Sequence, residues 1–313
     1  MEKKRLLTGI QPSGALHIGN FVGALRPFLD IYERYESMLM IADYHALTTL
    51  RDPKQLRQNI LEAVKDYVAV GVDPNKAIIF RQSDIPAHME LAWILECVVT
   101  VPFLFQAHAY KDKVAKGLEA NAGLFNYPML MAADILLYDT DIVPVGEDQK
   151  QHIEYAREAA AKFNNAYGAF FKEPKEHILK GSGTVPGTDG QKMSKSYGNT
   201  IPLFGTKEEI KKSVMSIVTD SKGESPENVY AIHSFFRDKN ELSELYKKNK
   251  GNYKALKEAL IDDIEALVAP MRSRRESIND AEVRSILEEG AEKAQTIAEA
   301  KMKEVRQRIG IEL

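Results

Sequence analysis

Strand-length apolar runs separated by helical segments fill the first two-thirds of this chain, and few folds accommodate that pattern. Leu6–Ile10, Ser37–Ala42, Ala77–Phe80 and Asp141–Gly146 read as strands without polar alternation. A strand apolar on both sides must be covered on both faces, as in a parallel sheet flanked by helices. The stretches between them supply the helices. Ile18–Tyr35 places Phe21, Leu25, Phe28, Leu29 and Ile31 at helical spacing. Asp52 as cap and Pro53 in the first turn open a helix to about Val70. Pro86–Val99, the almost wholly apolar Met129–Leu137 and a long amphipathic segment from Glu147 to about Ala166 follow.

After Gly205 the character changes. Thr206 and Glu209 form a capping box, and only helical patterns follow, at 207–218, 226–238, 240–249, 253–277 and 280–309. The predicted class is therefore α/β: a Rossmann-like, doubly wound parallel sheet over residues 1–203 with an all-helical C-terminal domain over 204–313. Residues 101–126 break the pattern with mixed aromatics and Lys111, Lys113 and Lys116, within a connecting, dimer-interface insertion expected around 91–126. Lys and Arg total 42 against 45 Asp and Glu, a net charge of -3, which argues against unspecific coating of nucleic acid but allows a local RNA-binding patch. The single cysteine, Cys97, excludes a disulfide within the chain and is expected in the core. The apolar segment after the basic N-terminus is too short for a signal peptide, and no window approaches a membrane span, so a cytoplasmic setting is expected.

Two short stretches carry chemistry. Gly9-Ile10-Gln11-Pro12-Ser13-Gly14-Ala15-Leu16-His17-Ile18-Gly19-Asn20 lies between a strand and a helix, where ligands of open parallel sheets bind. Gly14 and Gly19 allow a ligand to approach the backbone, Ser13 offers a hydroxyl, and His17 can donate to a phosphoryl oxygen. An ordinary strand-to-helix turn could hold the same residues. Lys192-Met193-Ser194-Lys195-Ser196 follows Gly181–Gly190, a segment with four glycines in ten residues that reads as a mobile loop. Two ammonium groups there can follow the charge that builds on a phosphorus under attack, though a solvated basic loop would look alike.

Together the two stretches resemble the signatures of class I aminoacyl-tRNA synthetases, in that family's order and spacing. The run Tyr127-Pro128-Met129-Leu130-Met131-Ala132-Ala133-Asp134-Ile135-Leu136-Leu137-Tyr138 narrows the resemblance to tryptophanyl-tRNA synthetases. So do Val143-Pro144-Val145-Gly146-Glu147-Asp148-Gln149-Lys150-Gln151-His152, Gln11-Pro12-Ser13-Gly14, Asp43-Tyr44-His45-Ala46 and Val218-Thr219-Asp220-Ser221. The resemblance covers essentially the whole chain. Asn20 stands where most of the class has a second histidine, as is common in tryptophanyl enzymes, and leaves His17 as the motif's one imidazole.

The resemblance implies ATP, carried with Mg²⁺, and L-tryptophan as substrates. It implies tryptophan tRNA as the acceptor and a homodimer as the assembly, with no membrane. It assigns catalysis to His17, Lys192 and Lys195, and ATP binding to those lysines with Gln11, Pro12, Ser13, Gly19, Asn20, Met193, Ser194 and Ser196. It adds Lys113 for the phosphates, Gly146, Glu147 and Asp148 for the nucleoside, and Val185 for adenine. Tryptophan would meet Asp134 through its indole N–H, Met131 through its ring face, Tyr127 and Gln149 through its ammonium, and His45 nearby. A carboxylate within an apolar helix needs such a partner, and a ring lacking the N–H would leave it unpaired. Basic residues Lys247, Lys248, Lys250, Arg272, Arg274 and Arg275 belong to the helical region that would read the anticodon, and the apolar stretch 91–106 with Trp93, Phe103 and Phe105 to the dimer contact, although a monomer core would look alike. Three alternatives stand beside this reading: a tyrosyl-tRNA synthetase, a non-catalytic RNA-binding or tryptophan-sensing paralogue, and a small-molecule nucleotidyltransferase.

Overall fold

The structure is a computed structural model that describes residues 3–117, 119–145, 150–178, 184–219 and 226–312. Five strands, β1 (Arg5–Ile10), β2 (Glu36–Ile41), β3 (Ala77–Arg81), β4 (Ile142–Val145) and β5 (Lys175–Ile178), form one parallel sheet in the order β3-β2-β1-β4-β5. The chain winds outward from β1 to β3, then returns to lay β4 and β5 on the other side. The order therefore switches between β1 and β4, joined at Leu6 and Ile142. β5 was not expected. Its sequence, Lys-Glu-His-Ile, lacks an apolar run, and the strand is recognised only by its pairing with β4 at one edge of the sheet.

Fourteen α-helical segments surround the sheet among the described residues. They are α1 (Ile18–Asn20), α2 (Arg26–Leu29), α3 (Asp43–Ala46), α4 (Pro53–Val70), α5 (Ala87–Glu96), α6 (Val101–Leu104), α7 (His108–Ala115) and α8 (Ala122–Leu136). Then come α9 (Lys150–Tyr167), α10 (Lys207–Met215), α11 (Glu227–His233), α12 (Lys239–Lys248), α13 (Tyr253–Ser277) and α14 (Asp280–Ile309). The helix expected over Ile18–Tyr35 is broken. A π-helical stretch, Phe21–Leu25, separates α1 from α2, with the Arg26 N–H reaching back to the Phe21 carbonyl. Pro27 has no N–H for the carbonyl four residues earlier, and its ring crowds that turn, so the wider winding relieves the clash. Asp52 caps α4 by accepting from the N–H groups of Lys54 and Gln55, and the Thr206–Glu209 box caps α10.

Alternation along β1 sends Leu6 and Leu7 to opposite faces, each into its own core. Leu6, Leu39, Ile41 and Ile79 pack with Ile60 and Val64 of α4 and with Leu260, Ile264, Val283 and Leu287 of α13 and α14. Leu7, Met38, Met40 and Phe80 pack with Leu91 and Leu95 of α5, Met129 and Ala133 of α8, and Ala294, Ala298 and Met302 of α14. The C-terminal helices thus share both cores with the α/β unit. The closest approach is at Gly290 of α14, where a Cβ would fall 1.8 Å from the Ile79 carbonyl oxygen, so α14 lies directly on the backbone of the edge strand β3.

Cys97 is exposed at the end of α5 and is not a core residue as expected; it follows the last turn, on the same surface as Trp93, which is 68% exposed. Of the basic residues assigned to the helical region, Arg272 pairs with Glu265, Arg274 donates to the Ala69 carbonyl, and Arg275 pairs with Asp66 and Glu62. Arg274 and Arg275 thus fasten α13 to α4, whereas the Arg272 pair lies within α13 itself.

Candidate active site

A cleft of about 950 Å³ opens beyond the carboxyl ends of β1 and β4, where the strand order reverses. Gln11, Ser13, His17 and Asn20 line one side, and Ser194 and Lys195 reach it from the lysine-bearing loop. His45, Tyr127, Met131 and Asp134 line another part, with Gly9 and Met40 contributing from the strands. Residues far apart in sequence but paired by the resemblance therefore meet in one cavity.

The turn after β1 is tied down locally. The Ser13 N–H bonds the Gln11 carbonyl, and buried Asn59 of α4 donates to the Pro12 carbonyl. His17 and Asn20 form a reciprocal cap at α1: the Asn20 N–H donates to His17 Nδ1 at 3.3 Å, and the His17 N–H donates to Asn20 Oδ1 at 3.1 Å. An asparagine in place of a second histidine thus has a structural task. Because Nδ1 accepts, the ring proton of neutral His17 resides on Nε2. Burial, then the nearby Lys195 charge, pull the His17 pKa down to about 4, so the imidazole is a neutral donor at pH 7.

The lysine loop docks onto this turn. The Gly19 N–H points at Met193 Sδ, 3.2 Å away, and a Cβ on Gly19 would meet Met193 Cβ at 3.2 Å. Met193 is buried with Val185, whose carbonyl accepts from the Met193 N–H. Backbone bonds from Ile18 to Ile201 and from Leu203 to Leu16 hold the far side of the loop in place. The described part of the segment expected to be mobile, Thr184–Gly190, is held by bonds such as Gly187 N–H to Gln191 O and Thr188 N–H to Asn199 O. Within the loop, buried Asn199 donates to the Lys192 carbonyl and Asp189 Oδ1, and accepts from the Ser194 N–H. Lys195 Nζ donates to the carbonyls of Ser13 and Gly14, and desolvation there lowers its pKa.

Asp134 is almost fully buried on α8, one turn from Met131. Its Oδ2 is 2.8 Å from His45 Nε2, and its Oδ1 accepts from Gln82 Nε2 at 2.7 Å. Burial alone would raise its pKa, but the close approach of His45 and His88 outweighs that and holds it down at about 2. The carboxylate is thus ionised, and Oδ2, with two lone pairs, has room for a further donor. His45 and Tyr127 face each other edge-on, ring centroids 6.4 Å apart.

Pro12, Gly19, Lys113, Val185, Lys192, Met193 and Ser196 do not line the cleft. Lys113 lies on α7, and Lys192 is exposed at the loop edge. Gly146, Glu147, Asp148 and Gln149 lie outside the described residues. Sequence reasoning missed Gln82, His88 and Asn199. The only signal for them was the polar side chain itself, since each acquires its role through contacts that the fold creates.

The family model for tRNA synthetases class I (W and Y) matches residues 1–282. The tryptophan–tRNA ligase of Fusobacterium nucleatum subsp. nucleatum is 48% identical over 98% of both chains, and that of Rhodopirellula baltica is 45% identical over 98% of this chain and 99% of its own. The crystal structure of tryptophanyl-tRNA synthetase from Campylobacter jejuni complexed with ADP and tryptophan superposes with a TM-score of 0.91 at 43% identity, covering 98% of this chain and 99% of that one. A switch-point cleft carrying both signature segments, on a chain so closely and completely matched, belongs to the class I tRNA synthetases of the tryptophan and tyrosine family.

Proposed function

We infer that the protein is a tryptophan–tRNA ligase. It activates tryptophan with ATP, giving tryptophanyl-adenylate and pyrophosphate, and then transfers the tryptophanyl group to the 3′ end of tryptophan tRNA. The observation that carries the reading is the single cleft in which His17 and Lys195 meet Asp134, Met131 and His45, in a chain whose relatives of this degree of identity are tryptophan–tRNA ligases. A tyrosyl enzyme or a non-catalytic paralogue has no comparable support.

ATP enters as its Mg²⁺ complex, with the metal on the phosphate oxygens. Gln11, Ser13 and Asn20 border the nucleotide, joined by Gly146, Glu147 and Asp148. The indole ring lies on Met131, its N–H on Asp134 Oδ2, and its ammonium end toward Tyr127 and Gln149. A carboxylate oxygen of tryptophan attacks the α-phosphorus, and the bond to the bridging oxygen of pyrophosphate breaks. No enzyme nucleophile is needed; positioning and charge neutralisation do the work. His17 Nε2–H donates to a phosphoryl oxygen, while Lys192 and Lys195 neutralise the departing pyrophosphate. Lys195 leaves the Ser13 and Gly14 carbonyls to do so. The terminal ribose hydroxyl of the tRNA then attacks the tryptophanyl carbonyl carbon and AMP departs.

Residues 204–313 form the anticodon-reading domain in this proposal, with the exposed Lys247 and Lys248 of α12 as free contacts in place of the engaged arginines. The exposed Trp93, Val101 and Phe105 belong to a homodimer contact. No described helix is long and apolar enough to cross a membrane, and the enzyme acts in the cytoplasm beside its tRNA. Amino-acid-dependent exchange between ATP and pyrophosphate, run with tryptophan and with tyrosine, followed by aminoacylation of tRNA, tests the function. Exchange with tyrosine alone would overturn it.

A further inference from the structure

Behind Asp134 lies a polar cluster that belongs to no sequence motif. Gln82, on the turn after β3, and His88, in the first turn of α5, are both completely buried. Gln82 Nε2 donates to Asp134 Oδ1 at 2.7 Å, and only the –NH₂ end of an amide can face a carboxylate in this way. His88 Nδ1 lies 2.7 Å from the same oxygen, close enough for an ion pair but not in line for a hydrogen bond. His88 Nε2 is 2.8 Å from the Tyr138 hydroxyl, and the Phe80 and Tyr138 rings pack around the imidazole. Gln82 and His88 thus both act on Oδ1 and leave Oδ2 on the His45 side.

A carboxylate turns easily about its last torsion, so burial alone does not aim one oxygen. We propose that Gln82 and His88 are positioning residues for amino-acid selection: by holding Oδ1 they point Oδ2 of Asp134 at the place where a substrate N–H arrives. The inference rests on the reading of Asp134 as the indole acceptor. Neither residue touches the substrate. Selectivity arises because a ring of the same size without the N–H leaves Oδ2 one donor short, with only His45 on it. Tyr138 belongs to the same device, since its hydroxyl fixes the His88 ring.

The test compares kcat/KM in pyrophosphate exchange for tryptophan and for 3-benzothienylalanine, in which sulfur replaces the ring N–H. The wild type should prefer tryptophan by at least about a hundredfold. Equal use of both by the wild type would remove the Asp134 reading itself. Gln82→Leu and the milder Tyr138→Phe should lower the tryptophan value by about tenfold while barely changing the analogue, so the ratio falls. A merely structural role would lower both substrates together and keep the ratio. If folded variants, checked by thermal melting, retain the wild-type ratio while the wild type still discriminates, the positioning proposal falls and the Asp134 reading stands.

Discussion

Lys195 Nζ donates to the Ser13 carbonyl at 3.1 Å and the Gly14 carbonyl at 3.0 Å, so the lysine loop closes directly on the turn after β1. In the proposed reaction the ammonium exchanges those two carbonyls for the phosphates of ATP. Lys195→Met should lower the rate of tryptophan-dependent pyrophosphate exchange by about a hundredfold, the scale of a lost transition-state donor. Its folding stability should change by only about 1 kcal/mol, because the bonds lost are made by an exposed side chain. Exchange kinetics and urea denaturation of one preparation check both. An unchanged rate would remove Lys195 from the chemistry.

The same proximity sets the behaviour of His17. Burial and then Lys195 lower its pKa from 6.5 to about 4. As pH falls below 6.5 the unfolded chain takes up this proton while the folded chain does not, so stability declines down to about pH 4. Above 6.5 the group contributes nothing to the pH dependence. Wild type should therefore lose stability relative to His17→Asn between these limits and run parallel above them. In Lys195→Met the His17 titration, followed by NMR, should move upward, since one of the two causes is gone. A titration that stays in place would show that burial acts alone.

Arg275 joins the C-terminal helices to the α/β unit by pairing with Asp66 and Glu62 of α4. Asp66 is 2% exposed, and burial raises its pKa to about 6 although Arg275 works against that. It lies beneath the turn after β1, where the Leu16 backbone also bonds to it. Removing the guanidinium leaves a buried carboxylate unpaired, so Arg275→Ala should cost about 3–5 kcal/mol at pH 7. Near pH 5 the loss should shrink, because in the variant the freed carboxyl holds its proton and no buried charge remains. Urea denaturation at the two pH values tests this. A loss independent of pH would mean that packing of the arginine, not its charge, is what matters.

Much of this architecture is legible in the amino-acid sequence. Asp52, Pro53 and the Thr206–Glu209 pair announce helix starts because a cap is a local matter of a few residues. Four strands show because they are buried on both faces. β5 does not, since its Lys-Glu-His-Ile carries no apolar run and only the partner β4 defines it. Asp134 is conspicuous as a charge within an apolar helix, whereas Gln82 and His88 are not. Their meaning comes from the folding of β3 and α5 against α8, which no local pattern encodes. Gly290 is the same case: within α14 it looks like a weak helix position, and its cause is the Ile79 carbonyl more than two hundred residues earlier.

Asn199 stands at the intersection of that problem with function. It follows the lysine loop closely and is nearly completely buried, and its side chain binds the loop at three points: Lys192 O, Ser194 N–H and Asp189 Oδ1. Asn199→Ala removes all three and should lower the exchange rate by about ten- to a hundredfold, as expected when the support of a reacting group is lost. KM for tryptophan should stay near its wild-type value, because the Asp134 wall is untouched. Asn199→Asp should be worse than its size suggests: the carboxylate can still accept from Ser194, but it faces Asp189 Oδ1 across a distance now bridged by an N–H of 2.7 Å donor–acceptor length. Pairing it with Asp189→Asn restores a donor and should recover most of the rate. Failure of that recovery, with both proteins folded, would show that the loop is held by its backbone bonds and that Asn199 only fills space.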